Sequence, residues 1–205
     1  MADFKSSLFG DHSFLEFTLQ DNTIEGCPAM TIDNNVRVEL WDNGILYFHP
    51  QDDLAGTWQV CSPETMPDFS AVAYFFAERL QEEMDIPIGL IDASWGASCA
   101  EVWTPEEEFD KNPALQEAYG LIKPNRWVPI EKSVLYNAMI APLTDFKISG
   151  TLWYQGESNT ANAETYENTF GTLIQSWRNK WGYEFPFYFV QIAPYKYGRE
   201  YEGGI

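Results

Sequence analysis

Histidine is nearly missing from this chain. Of 205 residues only His12 and His49 carry an imidazole, and both lie in the first quarter. That argues strongly against a zinc centre built on several histidines, and any imidazole base must be one of these two. Basic residues are also scarce, 12 Lys and Arg against 31 Asp and Glu, for a formal net charge of −19. A surface of that sign repels phosphate backbones and anionic headgroups, so neither nucleic acid nor a membrane is expected as a partner. Its plainest consequence is solubility. The three cysteines, Cys27, Cys61 and Cys99, are widely spaced and form no C-x-x-C pair. They fit neither a disulfide framework nor a zinc site; buried thiols are expected, with one disulfide and a free cysteine as the alternative.

Long apolar runs are absent too. None reaches the ~18–20 residues of a membrane span. The first fourteen residues hold one Lys and no apolar block of signal-peptide length, so no targeting segment is read and the compartment stays open. There is no repeat, no low-complexity tract and no linker rich in Gly, Ser or Pro. The chain reads as one domain over residues 1–205, and 14 Phe, 11 Tyr and 8 Trp supply its core.

Three short apolar runs have the character of buried strands: Ile88–Asp92, Gly150–Tyr154 and Phe187–Ile192. Two longer segments carry helical periodicity. Phe69, Val72, Phe76 and Leu80 follow Asp68, an expected N-cap. Tyr166, Phe170, Leu173, Ile174, Trp177 and Trp181 form one stripe, closed by Gly182 and followed by Pro186. A third helix start is expected at Thr104-Pro105-Glu106-Glu107, with Thr104 as cap. Val36–Trp41 and Ile45–Phe48 are possible extended pieces. Helices alternating with apolar strands predict an α/β fold with a mostly parallel sheet covered on both faces. In such folds ligands bind beyond the C-terminal ends of the strands. Residues Ala93–Ser98, Gln155–Asn159 and Ala193–Tyr197 follow the three strands, and the first two are small, polar and glycine-containing.

These segments carry a resemblance. Ile86–Thr104 (IPIGLIDASWGASCAEVWT), Ser133–Leu143 (SVLYNAMIAPL), Gly150–Asn159 (GTLWYQGESN) and Asp52–Thr65 (DDLAGTWQVCSPET) resemble the sialate O-acetylesterases, and the likeness runs from about Leu8 to about Gly198. The resemblance implies a three-layer α/β/α hydrolase fold of the SGNH type, in which a serine attacks an acetyl ester on a sugar. No metal or organic cofactor is implied. It makes Gly96 an oxyanion donor through its backbone N–H. It also makes the Gln155–Asn159 loop a second donor segment, with Gln155 or Asn159 supplying an amide and Glu157 a carboxylate that orients or charges the site. Trp95, Ser98, Glu101, Gly156 and Ser158 are the expected sugar-side residues, and Trp95, Trp103, Trp153 and Tyr154 are candidates for stacking on sugar rings, although core positions are commoner for such aromatics. Ala97 departs from a second glycine of the family, and Ser98-Cys99 departs from Thr-Pro.

The nucleophile motif of the family, G-Q-S-N-M-E-F, is matched by Asp11-His12-Ser13-Phe14-Leu15-Glu16-Phe17 only in part, with Ser13 on the serine. The alternative alignment puts Leu8–Asp11 on the family's L-F-G-D, which deletes the first core strand with the Gly-Gln of the motif, and Ser13 is then an inert loop serine. The family's Asp-x-x-His near its C-terminus has no counterpart here. His12 adjoins Ser13, and successive side chains of an extended segment point to opposite faces. His49 precedes Pro50 and reads as a surface residue. The sequence therefore leads to the expectation of a domain lacking the C-terminal part of the family domain, with the oxyanion pocket kept and little or no esterase activity. A sugar-binding domain without catalysis is the alternative, as is a fragment. The expected partner is an acetylated sugar: sialate by resemblance, or a neutral polysaccharide such as xylan, which needs no cation. Arg126, Arg178 and Arg199 are the cations available for sialate. The oligomeric state is not legible.

Overall fold

A computed structural model of the protein describes residues 12–17, 28–32, 48–54, 56–124 and 128–194, the first two segments by their backbone. Among the described residues six strands form one sheet: β1 (His12–Phe17), β2 (Pro28–Ile32), β3 (Gly56–Val60), β4 (Gly89–Asp92), β5 (Ile148–Tyr154) and β6 (Phe187–Phe189), in the order β3-β2-β4-β1-β5-β6. β2 runs parallel to β4, and β5 parallel to β6, while β1 is antiparallel to both β4 and β5 and β3 is antiparallel to β2. β2, β4, β5 and β6 thus share one direction, and β1 and β3 oppose them. The α-helices among the described residues are α1 (Ala71–Met84), α2 (Glu106–Lys111), α3 (Pro113–Gly120) and α4 (Tyr166–Trp181), with shorter helical turns between them. Among the described residues no helix is long and apolar enough to cross a membrane.

Alternation along the strands divides the core in two. Leu90 and Leu152 face α1 and pack with Phe69, Ala73, Ala77 and Ile88. Ile91 and Trp153, their neighbours in sequence, face the other way into a larger core with Trp103, Leu135, Ile140, Leu173 and Trp177. Two covered faces make a three-layer α/β fold. Ile148 joins the larger core although it lies an even number of residues from Leu152, because the β1–β5 register slips between Glu16 and Phe17. The buried indoles keep their N–H groups satisfied: Trp177 donates to Trp103 O at 3.0 Å, Trp103 to Ser98 Oγ at 2.8 Å, and Trp153 to the Tyr166 hydroxyl at 3.3 Å.

Several local expectations change in detail. α1 begins one turn after Asp68; Ser70 is its cap and its side chain accepts from Ala73 N, while Asp68 closes a preceding 3-10 turn. Thr104 does not cap α2. Its hydroxyl turns back to Ala100 O at 3.0 Å, which leaves Pro105 at the cap position. α3 was not legible from periodicity, yet Asn112 caps it strongly, accepting from Ala114 N and Leu115 N. β6 ends at Phe189, before the predicted Ile192. α4 ends as its sequence indicates, on Gly182 at φ 75°. Val36–Trp41 and most of Ile45–Phe48 lie outside the described residues; Phe48 is exposed coil.

Candidate functional site

Two loops meet at the C-terminal ends of β4 and β5. The first, residues 93–99, leaves β4 after Asp92; the second, residues 155–159, leaves β5 after Tyr154. The second loop grips the first at three nearly consecutive backbone positions. Ser158 Oγ donates to Ala97 O at 2.8 Å, Gln155 Nε2 donates to Ser98 O at 3.2 Å, and Asn159 Oδ1 accepts from Ala100 N at 2.9 Å. On its other side Gly156 leaves room for Ile192, whose Cδ1 would stand 3.0 Å from a Cβ there.

The grip holds a strained turn. Ala97 has φ 65°, the left-handed conformation that glycine adopts without cost. The departure from glycine at this position therefore acts on the backbone, beyond any effect of its methyl on the pocket. Gly96 and Ala97 are exposed, and their N–H groups make no hydrogen bond to any described residue. They are the open donors of this region.

Behind the turn lies a buried polar chain. Glu101 is 0 % exposed, Asn159 1 % and Gln155 4 %. The Tyr166 hydroxyl donates to Gln155 Oε1 at 2.7 Å; Gln155 Nε2 donates to Asn159 Oδ1 at 2.7 Å. Asn159 Nδ2 donates to Glu101 Oε2 at 2.8 Å and to Asn162 Oδ1 at 3.2 Å. Asn162 Nδ2 donates to Glu101 Oε1 at 2.8 Å and to Ala118 O at 3.2 Å. Each of the three amide NH₂ groups thus has both hydrogens engaged by protein acceptors. Burial first, and the neighbouring Glu101 carboxylate second, push the Cys99 thiol up, so it stays protonated at neutral pH. At the end of β4, burial pushes the Asp92 carboxyl up to about 6 against a weaker opposing hydrogen bond from Ser94, and its Oδ1 has no partner among the described residues.

The residues singled out in the sequence fall into three groups. Gly96, Ser158 and Gly156 stand at the junction of the loops, together with Ala97. Gln155, Asn159, Ser98 and Glu101 lie beneath it, buried and joined in one hydrogen-bonded chain. Trp95 also belongs to the core, as do Trp103 and Trp153, and Tyr154 packs against the α1 side. Glu157 is exposed and makes no hydrogen bond among the described residues. Ser13 is paired with Trp153 in the β1–β5 register, and the next residue, Phe14, with Asp92. Its backbone thus stands at the same ends of β4 and β5 as both loops. His49 is exposed. Arg178 is committed to Phe185 O, at 3.2 and 2.8 Å, and to Glu184; Arg126 and Arg199 lie outside the described residues. Asn162 went unnoticed in the sequence, where its spacing of three from Asn159 on a helical turn was the available signal. No group of three His, Cys, Asp or Glu suited to a metal ion occurs among the described residues.

A three-layer α/β domain with its polar loops gathered at the carboxyl ends of the sheet is the architecture of an SGNH-type hydrolase. The family is fixed by comparison with known proteins. The profile of the carbohydrate esterase, sialic acid-specific acetylesterase family matches residues 34–202. The chain belongs to that family. It is 36 % identical over 133 residues to the human sialate O-acetylesterase, which covers 60 % of this chain and 25 % of that protein. To the Mus musculus sialate O-acetylesterase it is 34 % identical over 160 residues, 62 % of this chain and 30 % of that one. The crystal structure of a carbohydrate acetylesterase from Xanthomonas citri superposes with a TM-score of 0.63 at 30 % identity, over 80 % of this chain and 33 % of the other. The chain therefore spans about a quarter to a third of the length of these relatives.

Proposed function

We propose that this chain carries the oxyanion side of a sugar O-acetylesterase site, with Ser13 as nucleophile and weak turnover by its own residues. The observation that carries this reading is the exposed Gly96–Ala97 turn, whose two free N–H groups are held at three backbone points by the Gln155–Asn159 loop. In the reaction, the Ser13 hydroxyl would attack the acetyl carbonyl carbon and lose its proton to a base. The carbonyl oxygen would gain charge opposite the Gly96 and Ala97 N–H groups, the sugar hydroxyl would leave with a proton, and water would release acetate from the serine. Backbone donors suit this task because they need no reorganisation as charge develops. Since the amides of Gln155 and Asn159 are engaged elsewhere, their support is indirect. Weak turnover follows from the base: His49 is exposed on coil, His12 adjoins Ser13 in β1, and general-base assistance contributes about 10²–10⁴-fold.

A second reading, sugar binding without cleavage, is supported by the position of His49, which is exposed on coil. The family relationship supports sialate as the acetylated sugar. The engagement of Arg178 by Phe185 and Glu184 supports testing a neutral acetylated xylan beside it. The purified chain is assayed with an aryl acetate, 9-O-acetylated sialic acid and acetylated xylan, alongside Ser13→Ala. Slow hydrolysis abolished in Ser13→Ala is expected. Hydrolysis that survives the substitution rejects Ser13, and saturable binding of an acetylated glycan with no hydrolysis establishes the second reading.

A further inference from the structure

We propose that Glu101 is a positioning residue: its carboxylate sets the hydrogen-bond direction of the Asn162, Asn159 and Gln155 amides and thereby holds the Gly96–Ala97 turn in shape. The inference rests on the oxyanion reading for its catalytic consequence, though not for its structural one.

The argument is one of donors and acceptors. An amide side chain has a donor end and an acceptor end, and its orientation is whatever the surrounding network demands. Here every bond of the chain runs toward Glu101, from Tyr166 to Gln155 to Asn159, and from both Asn159 and Asn162 onto the two carboxylate oxygens. An ionised carboxylate only accepts. It therefore requires Nδ2 of both asparagines to face it, which turns Asn159 Oδ1 toward Ala100 N and Gln155 Nε2. With its acceptor end so occupied, Gln155 directs its second hydrogen to Ser98 O. Two of the three bonds that grip the turn thus inherit their polarity from Glu101. The third, from Ser158 to Ala97 O, lies on the loop they anchor.

Glutamine at 101 has nearly the same shape and the wrong polarity. Its NH₂ must face Nδ2 of either Asn159 or Asn162, donor against donor. If Asn162 turns over to relieve the conflict, its own NH₂ then meets Asn159 Nδ2 across the 3.2 Å contact. If Asn159 turns over, its NH₂ meets Ala100 N and Gln155 Nε2. The conflict is removed by moving the acceptor-only group one residue along. With Glu101→Gln and Asn162→Asp together, the glutamine NH₂ donates to the aspartate and both side chains still accept from Asn159 Nδ2, while the bond to Ala118 O is replaced by an acceptor facing an acceptor at the rim of the network. The double variant therefore preserves the orientation of Asn159 with the charge transposed.

The test compares wild type, Glu101→Gln, Asn162→Asp and Glu101→Gln/Asn162→Asp. Backbone amide resonances of Gly96 and Ala97 are followed in ¹⁵N–¹H correlation spectra, and kcat and KM in aryl acetate hydrolysis. Each single variant is expected to displace both resonances and the double variant to return them toward wild type. In Glu101→Gln, kcat should fall about 100-fold with KM within about twofold, and the double should recover at least about tenfold. Unchanged resonances in folded Glu101→Gln overturn the proposal. So does a displacement that the double variant fails to reverse, because a merely structural role gives no such rescue. If Glu101→Gln does not fold, the double variant decides alone, by folding with wild-type resonances or not. If wild type shows no hydrolysis, the esterase reading falls, and the resonances still decide the role of Glu101.

Discussion

Asn159→Ala tests whether the polar chain is what joins the two loops. Asn159 is 1 % exposed and its side chain takes part in four hydrogen bonds, with Ala100 N, Gln155 Nε2, Glu101 Oε2 and Asn162 Oδ1. Alanine leaves Gln155 Nε2 its bond to Ser98 O but removes the hydrogen bonds that Ala100 N, Glu101 Oε2 and Asn162 Oδ1 make to residue 159, with the Cys99 thiol still beside the Glu101 carboxylate. A buried polar group left unsatisfied costs about 1–3 kcal/mol, more when charged. Three such groups, one of them carboxylate, with some relief from entering water, give a loss of about 3–5 kcal/mol. In a domain of this size that lowers Tm by roughly 10–15 °C. Urea unfolding followed by tryptophan fluorescence measures it, with Ser158→Ala as control. Ser158 contributes one partly exposed bond to Ala97 O, and its loss should cost about 1 kcal/mol or less. A loss below about 1 kcal/mol for Asn159→Ala, at unchanged m value, would refute the reasoning.

Two further outcomes follow from the same end of the sheet. Ala97→Gly removes a left-handed penalty of about 1–2 kcal/mol and adds about 0.4–1 kcal/mol of unfolded-state entropy, so a small net gain in stability is expected in thermal unfolding; a loss of stability would mean that the methyl packs. Asp92 titrates near 6 when folded and near its ordinary value when unfolded, so between about pH 4 and pH 6 the folded state binds the extra proton. Its contribution is present at acid pH and is lost as pH rises through 6, by at most about 3 kcal/mol. Asp92→Asn should flatten that part of the stability–pH curve, and an unchanged slope in urea titrations from pH 4 to 7 would reject it.

The fold was legible where packing imposes a period. The runs at Ile88–Asp92 and Gly150–Tyr154 are apolar because both faces of β4 and β5 are covered, and the α4 stripe ends where Gly182 alone accepts a positive φ without cost. β3 escaped notice because its residues Gly56–Val60 are exposed throughout and have no buried side to alternate with. The caps are ambiguous in sequence for a related reason. Asp68 and Ser70 are equally good N-caps in sequence, and the choice falls to Ser70 because the 3-10 turn at Met66–Asp68 intervenes.

The site divides along a different line. Its position, at the ends of β4 and β5, followed from strand polarity alone, and the residues meeting there include Gly96, Gln155 and Asn159. What sequence does not carry is the direction in which an amide points. Gln155 and Asn159 were equivalent candidates for an oxyanion donor because each has an NH₂ group. Their difference from a free donor arises only when Ser98 O, Asn162 Oδ1 and Glu101 are brought alongside from distant segments. The same contacts move Glu101 from the sugar side to the interior. A buried carboxylate with no ion-pair partner among the described residues is solvated there by two amides, and in return it fixes which way they face. Donor count is thus a property of residue type and donor availability a property of the fold. In this domain the available donors at the loop junction are backbone groups, at a turn where an alanine occupies the conformation of a glycine.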